Sequence, residues 1–104
     1  MDEKHRVFIV EDHQLFREGL KAMLQSRDDI DIVGEAEDGL EAVRQIRKTK
    51  PELVLLDLSM PKMGGISVMR EIKRELPDTR ILALTIHESD QFVLEAFEAG
   101  TDGY

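Results

Sequence analysis

Apolar positions gather in three tight runs, residues 7–10 (Val-Phe-Ile-Val), 53–56 (Leu-Val-Leu-Leu) and 81–84 (Ile-Leu-Ala-Leu). Each is short and rich in Val, Ile and Leu, the pattern of strands buried on both faces in a parallel sheet covered by helices. Residues 30–36 (Ile-Asp-Ile-Val-Gly-Glu-Ala) mostly alternate instead, which predicts a half-buried strand at the sheet edge. Between the strands the period becomes helical. Leu15, Phe16, Leu20, Met23 and Leu24 form one stripe; Leu40, Val43 and Ile46 a second; Ile66, Met69, Ile72 and Leu76 a third; Phe92, Val93, Ala96 and Phe97 a fourth. Asp38-Gly39-Leu40-Glu41 reads as a variant capping box, Ser89 or Asp90 as the cap of the fourth helix, and Pro51 and Pro77 as stops between helix and strand. Four β-α units in succession predict an α/β fold, a doubly wound parallel sheet with right-handed crossovers. With the second strand at the edge, the flavodoxin-like order 2-1-3-4-5 follows. The chain ends at Gly100-Thr101-Asp102-Gly103-Tyr104, where a fifth strand should begin.

Composition narrows the partners. The 104 residues suit one domain, and 41% hydrophobic with 35% charged residues is a globular balance. A net charge of −8 disfavours nucleic acid or an anionic membrane as a direct partner of this chain. With no cysteine, disulfides and thiolate metal sites are excluded. The apolar runs are far shorter than the roughly 20 residues of a membrane span. The charged N-terminus has no secretory signal, so a cytoplasmic location is expected.

In a doubly wound sheet the residues just past the carboxyl ends of the strands share one rim, and ligands bind where the strand order reverses. The first strand delivers Glu11 and Asp12 there, the third Asp57, the fourth Thr85. Three carboxylates held together repel, which requires raised pKa values or a bound cation. All-oxygen donors favour a hard ion such as Mg²⁺. The alternative is that these acids are solvated or cap helices. The loop Leu58-Ser59-Met60-Pro61-Lys62-Met63-Gly64-Gly65 carries paired glycines that permit positive φ, but lacks the spacing of a phosphate-binding GxxxxGK[ST] loop. His13, with no second histidine at ligand spacing, reads as a surface or helix-capping residue. Met60 and Met63 read as loop packing.

Together these residues resemble the receiver domain of bacterial two-component response regulators over residues 7–104. The resemblance rests on Glu11-Asp12, on Leu55-Leu56-Asp57-Leu58-Ser59-Met60-Pro61, on Gly64-Gly65, on Thr85 and on Ala99-Gly100-Thr101-Asp102-Gly103-Tyr104. The segments Asp12-His13-Gln14-Leu15-Phe16-Arg17-Glu18-Gly19-Leu20 and Gly34-Glu35-Ala36-Glu37-Asp38-Gly39 are similar to the NarL/FixJ-like subgroup, whose output is a LuxR-type helix-turn-helix. The resemblance implies that Asp57 accepts a phosphoryl group from a sensor histidine kinase. It also implies that Mg²⁺ is bound by Asp12, Asp57 and the main-chain carbonyl of Ser59, with Glu11 acting through water. Thr85 and Tyr104 would form the switch around the fourth helix and fifth strand. A homodimer and a separate DNA-binding domain are also implied. The role so implied is that of a phosphoacceptor switch in transcription regulation, not of an enzyme.

Family members carry a lysine a few residues beyond the Gly-Tyr pair, then a fifth helix. Neither is present here, so residues 1–104 are expected to be a receiver domain truncated at the start of strand 5, with altered dimerisation and its output domain elsewhere in the parent protein. Two further readings are disfavoured. A phosphohydrolase with an aspartate nucleophile needs an acid two residues on, where Ser59 stands, and a flavin carrier needs aromatics, which make up only 5%. A pseudo-receiver, binding partners without phosphorylation, is the alternative.

Overall fold

The computed structural model describes residues 4–57, 64–84 and 102. The chain runs β1 (His5–Val10), α1 (Gln14–Gln25), β2 (Ile30–Ala36), α2 (Gly39–Thr49), β3 (Leu53–Asp57), α3 (Gly65–Glu75) and β4 (Arg80–Leu84). The strands form one parallel sheet in the order β2-β1-β3-β4, as the hydrophobic pattern predicts, with the alternating strand at its edge. The fourth helix, its cap and the start of a fifth strand at Gly103 and Tyr104 lie outside the described residues.

Alternation along each strand divides the core into two layers. Phe8, Val10, Val54, Leu56, Ile81 and Ala83 face α2 and α3, meeting Ala42, Val43, Ile46, Val68, Met69 and Ile72. Val7, Ile9 and Leu55 face the other way, toward Leu20 and Leu24 of α1. Burying each large apolar side chain contributes about 1.5–3 kcal/mol, so the layers fix the strand register by the weight of what a one-residue slip would expose.

The first helical stripe needs correction. Leu20 and Leu24 pack on the sheet, but Leu15 is 89% exposed, Met23 67%, and Phe16 is also outward. The inward face runs through Arg17, Leu20, Lys21 and Leu24, at spacings i, i+3, i+4 and i+7, and its first position is a charged residue only 9% exposed. In α2, Leu40 is likewise exposed while Val43 and Ile46 are buried. Asp38 does cap that helix, accepting the Glu41 N–H at 2.9 Å. Gly64 caps α3 at φ −65°, so no left-handed backbone is used at that glycine. Among the described residues other than glycine, the left-handed position is Lys50 (φ 47°), at the end of α2 just before Pro51.

One irregularity bears on the site. Val7 pairs with Ile32 but Phe8 with Gly34, so β2 carries Val33 as an extra residue, a bulge that is uncommon between parallel strands. Ile30 and Ile32 face α1; beyond the bulge Ala36 joins the α2 layer, and Glu35 points to α1. Gly34 lies against the ring of Phe8, where an added Cβ would fall 2.6 Å from Cε2.

At the far edge Asp102 meets β4. Its N–H donates to the Ile81 carbonyl at 2.8 Å, its carboxylate accepts the Ile81 N–H at 2.9 Å, and Lys73 lies 2.6 Å away. Burial opposes the charge on Asp102, but the Lys73 and Ile81 hydrogen bonds outweigh it and hold the carboxyl below its ordinary value.

Candidate functional site

The carboxyl ends of β1 and β3 are neighbours in the sheet, with Val10 paired to Leu56. The residues that follow them must therefore meet. Asp57, the last residue of β3, is 7% exposed, and Glu11, directly after β1, is 4% exposed. Glu11, Asp12, His13 and Asp57 each offer one ligand atom, and these atoms lie within 4.8 Å of one another. Sequence reasoning placed the three acids at one rim, and the geometry brings them together. Ser59, Thr85 and Tyr104, the other expected site residues, lie outside the described residues.

His13 stands at the N-cap of α1, as a capping residue would, but its side chain makes no capping hydrogen bond. The ring turns back to the acids, with Nδ1 3.0 Å from Glu11 Oε1 and 3.2 Å from Asp12 Oδ1. Its pKa is raised, first by the hydrogen bond to Glu11 and then by the charges of Asp12, Glu11 and Asp57. The ring is three-quarters exposed and is a countercharge to the acids when protonated. No spacing pattern marks this contact in the sequence, because two of the partners are its immediate neighbours.

Asp12 Oδ1 is the informative atom. It is buried, and the His13 contact lacks hydrogen-bond geometry, leaving this oxygen without a hydrogen-bond partner among the described residues. A buried acceptor left without a donor is costly, and a cation is the group that three converging carboxylates would satisfy. The donor set is oxygen-rich and fits a hard divalent ion.

The Glu11 main chain is pinned on both sides. Its N–H donates to the Ala36 carbonyl at 3.0 Å, and its own carbonyl accepts from Arg17 Nη1 at 2.7 Å. Arg17 Nε also donates to Glu35 Oε1 at 3.3 Å, and Lys21 Nζ sits 2.7 Å from the other Glu35 oxygen. Glu35 is held below the usual carboxylate range, chiefly by the Lys21 hydrogen bond, and Lys21 is raised in turn. A cleft of about 280 Å³ adjoins this cluster, lined by Arg17, Glu35, Ala36, Glu37, Glu41 and Gln45. The larger cleft, about 340 Å³, lies at the opposite end of the sheet before β3 and β4, remote from the acids.

A parallel sheet in this order, with three acids gathered at the carboxyl ends of β1 and β3, is the arrangement of a flavodoxin-like receiver fold. The model of the response regulator receiver domain matches residues 7–104, and the chain belongs to that family. The transcriptional regulatory protein YhcZ of Bacillus subtilis is 44% identical over 99 residues, which are 95% of this chain and 46% of that protein. The chain thus spans about half the length of the curated relatives it matches. A two-component response regulator of the LuxR family from Aurantimonas sp. SI85-9A1 superposes with a TM-score of 0.92 at 40% identity, covering 98% of this chain and 73% of that one. The signal receiver domain of the response regulator NarL from Mycobacterium tuberculosis gives 0.92 at 39%, covering 97% and 82%. The Aurantimonas protein is of the LuxR family, the subgroup that the segments around Arg17 and Glu35 resemble. No helix among the described residues is long and apolar enough to cross a membrane.

Proposed function

We propose that this chain is the phosphoacceptor of a two-component signalling protein, with Asp57 as the residue phosphorylated and transcription as the process regulated. The observation that carries it is the buried Asp57 carboxylate beside the Glu11–Asp12 pair, with Asp12 Oδ1 lacking a hydrogen-bond partner among the described residues. A carboxylate oxygen of Asp57 attacks phosphorus as the P–N bond to a phosphohistidine of a sensor histidine kinase breaks. The electron pair returns to the imidazole, which takes up a proton, and an aspartyl phosphate results. The reaction brings an anionic phosphoryl group onto an anionic pocket, so the repulsion must be neutralised. Asp12, Asp57 and the Ser59 carbonyl would hold Mg²⁺, with Glu11 acting through water, and the ion would supply that neutralising charge. Glu11 and Asp12 approach from β1 while β3 presents the nucleophile, so the sheet itself sets the spacing. Thr85 and Tyr104 would respond to the new phosphoryl group and bias the surface around the fourth helix and fifth strand. The domain is read as a covalent switch without turnover of an external substrate. Residues 1–104 would form the receiver of a cytoplasmic, homodimeric regulator whose separate output domain contacts DNA.

Intact mass after incubation with acetyl phosphate and Mg²⁺ tests the proposal. One phosphoryl adduct is expected, absent in Asp57→Asn and absent when a chelator removes the metal. A chain extended beyond Tyr104, treated in parallel, includes any residues that follow. No adduct at either length would leave a phosphorylation-independent interaction module as the better reading.

A further inference from the structure

Two polar segments distinguish this sequence from a bare set of site acids, one around Arg17 and one around Glu35. They meet in the fold. Arg17 occupies the inward face of α1 where an apolar residue is ordinarily found, and its guanidinium spans the 2.7 Å bond to the Glu11 carbonyl and the 3.3 Å bond to Glu35. Burying a guanidinium is costly unless its donors find acceptors and its charge is matched; here Nε and Nη1 both donate, and Glu35 supplies the opposite charge. Glu35 reaches this face because the Val33 bulge shifts the register of β2.

We propose that Arg17 is a positioning residue for the acidic pocket: by gripping the main chain of Glu11 and being held by Glu35, it sets the direction in which the Glu11–Asp12 turn aims its carboxylates at Asp57. Leu20 and Leu24 pack α1 on the sheet, and Arg17 links the helix to that turn's carbonyl. Its planar fork makes two bonds in fixed directions, whereas the ammonium of a lysine is a point charge on a flexible stem. The same chain of contacts ties the edge strand to the site. Groups outside a metal's own ligand set commonly govern affinity in this way, with losses of about 10–100-fold on their removal.

The Mg²⁺ part of the test rests on the phosphoacceptor reading; the exchange part does not. Arg17→Ala, Arg17→Lys and Glu35→Gln are compared with the unaltered chain by amide NMR. Mg²⁺ titration follows Asp12 and Asp57, and hydrogen exchange in metal-free protein follows Glu11 and His13 against Val54 and Leu56. Arg17→Ala is expected to weaken Mg²⁺ binding about tenfold or more and to speed exchange at Glu11 and His13, while β3 keeps its protection. Arg17→Lys should recover part of both effects, and Glu35→Gln should show a smaller loss. Unchanged affinity and unchanged exchange in Arg17→Ala would overturn the proposal, as would a uniform rise in exchange through β3, which marks a merely structural residue. If Arg17→Ala fails to fold, Arg17→Lys and Glu35→Gln decide by the same two readouts. If the unaltered chain shows no Mg²⁺ response, the phosphoacceptor reading fails and the exchange data alone decide for Arg17.

Discussion

Replacing Phe8 by alanine is expected to remove about 3–5 kcal/mol of stability, the usual cost of emptying a fully buried aromatic site. Phe8 has no exposed surface and stands in the layer shared with α2 and α3. Against a total of about 5–15 kcal/mol for a domain, that loss is a large part of the whole. Thermal or urea unfolding would measure it, with Phe8→Leu as a milder variant if the alanine form does not fold. Gly34 supplies the sharper test. Gly34→Ala places a methyl 2.6 Å from Cε2 of a ring that has no free space to retreat into, at a cost of about 1–3 kcal/mol. In the Phe8→Ala background the space is vacant and the penalty should largely vanish, so the two substitutions couple strongly. Simply additive losses would show that Gly34 answers to something other than the ring.

Asp12→Asn is expected to change stability in opposite directions with and without metal. In metal-free protein it removes one of three crowded charges, and the midpoint should rise because like-charge repulsion is relieved. With Mg²⁺ the unaltered chain gains stability by mass action, about 2.7 kcal/mol when the ion is at 100 times its dissociation constant. The variant should lose nearly all of that increment, since a hard-cation site is tuned by its count of charged oxygens. A Kd weakened about 100-fold corresponds to ~2.8 kcal/mol, at about 1.4 kcal/mol per tenfold. Calorimetric titration and melting at matched Mg²⁺ concentrations would measure both. An unchanged Mg²⁺-dependent rise in midpoint would remove Asp12 from the ion's ligand set. His13 moderates the metal-free effect wherever its ring is protonated, a range that the neighbouring Glu11 and Asp12 extend to higher pH.

The sheet order and the meeting of the three acids were legible because each rests on a strong local pattern. Runs of Val, Ile and Leu mark interior strands, and an acid just past such a run has only one rim to occupy. The face of α1 was not legible for a physical reason. A helical stripe read by hydrophobicity counts Arg17 as outward and rotates toward Phe16 and Met23, whereas the fold buries the guanidinium because a main-chain carbonyl and a carboxylate await it. Leu40 misled in the same way, since an apolar residue in the first turn of α2 need not reach the sheet. The bulge left a fainter trace. Ile32 and Val33 break the alternation of β2 and a glycine follows, a combination that signals a bulge or a close backbone approach. Here it signals both.

That extra residue has a consequence for how the edge strand tolerates changes of length. Edge strands ordinarily accept small insertions and deletions better than central ones, but β2 is read in two frames, one up to Ile32 and another from Gly34 onward. Straightening the bulge with Val33 kept would exchange the two residues that follow Gly34, sending a carboxylate into an apolar layer and a methyl toward two cations. Deleting Val33 instead leaves Phe8 opposite Gly34 and both residues on their own faces. Deletion of Val33 is therefore expected to be tolerated at the modest cost of its packing on the α2 layer, while one residue inserted between Gly34 and Glu35 is expected to abolish soluble expression. In this strand an apparent irregularity is the punctuation that keeps the message in register.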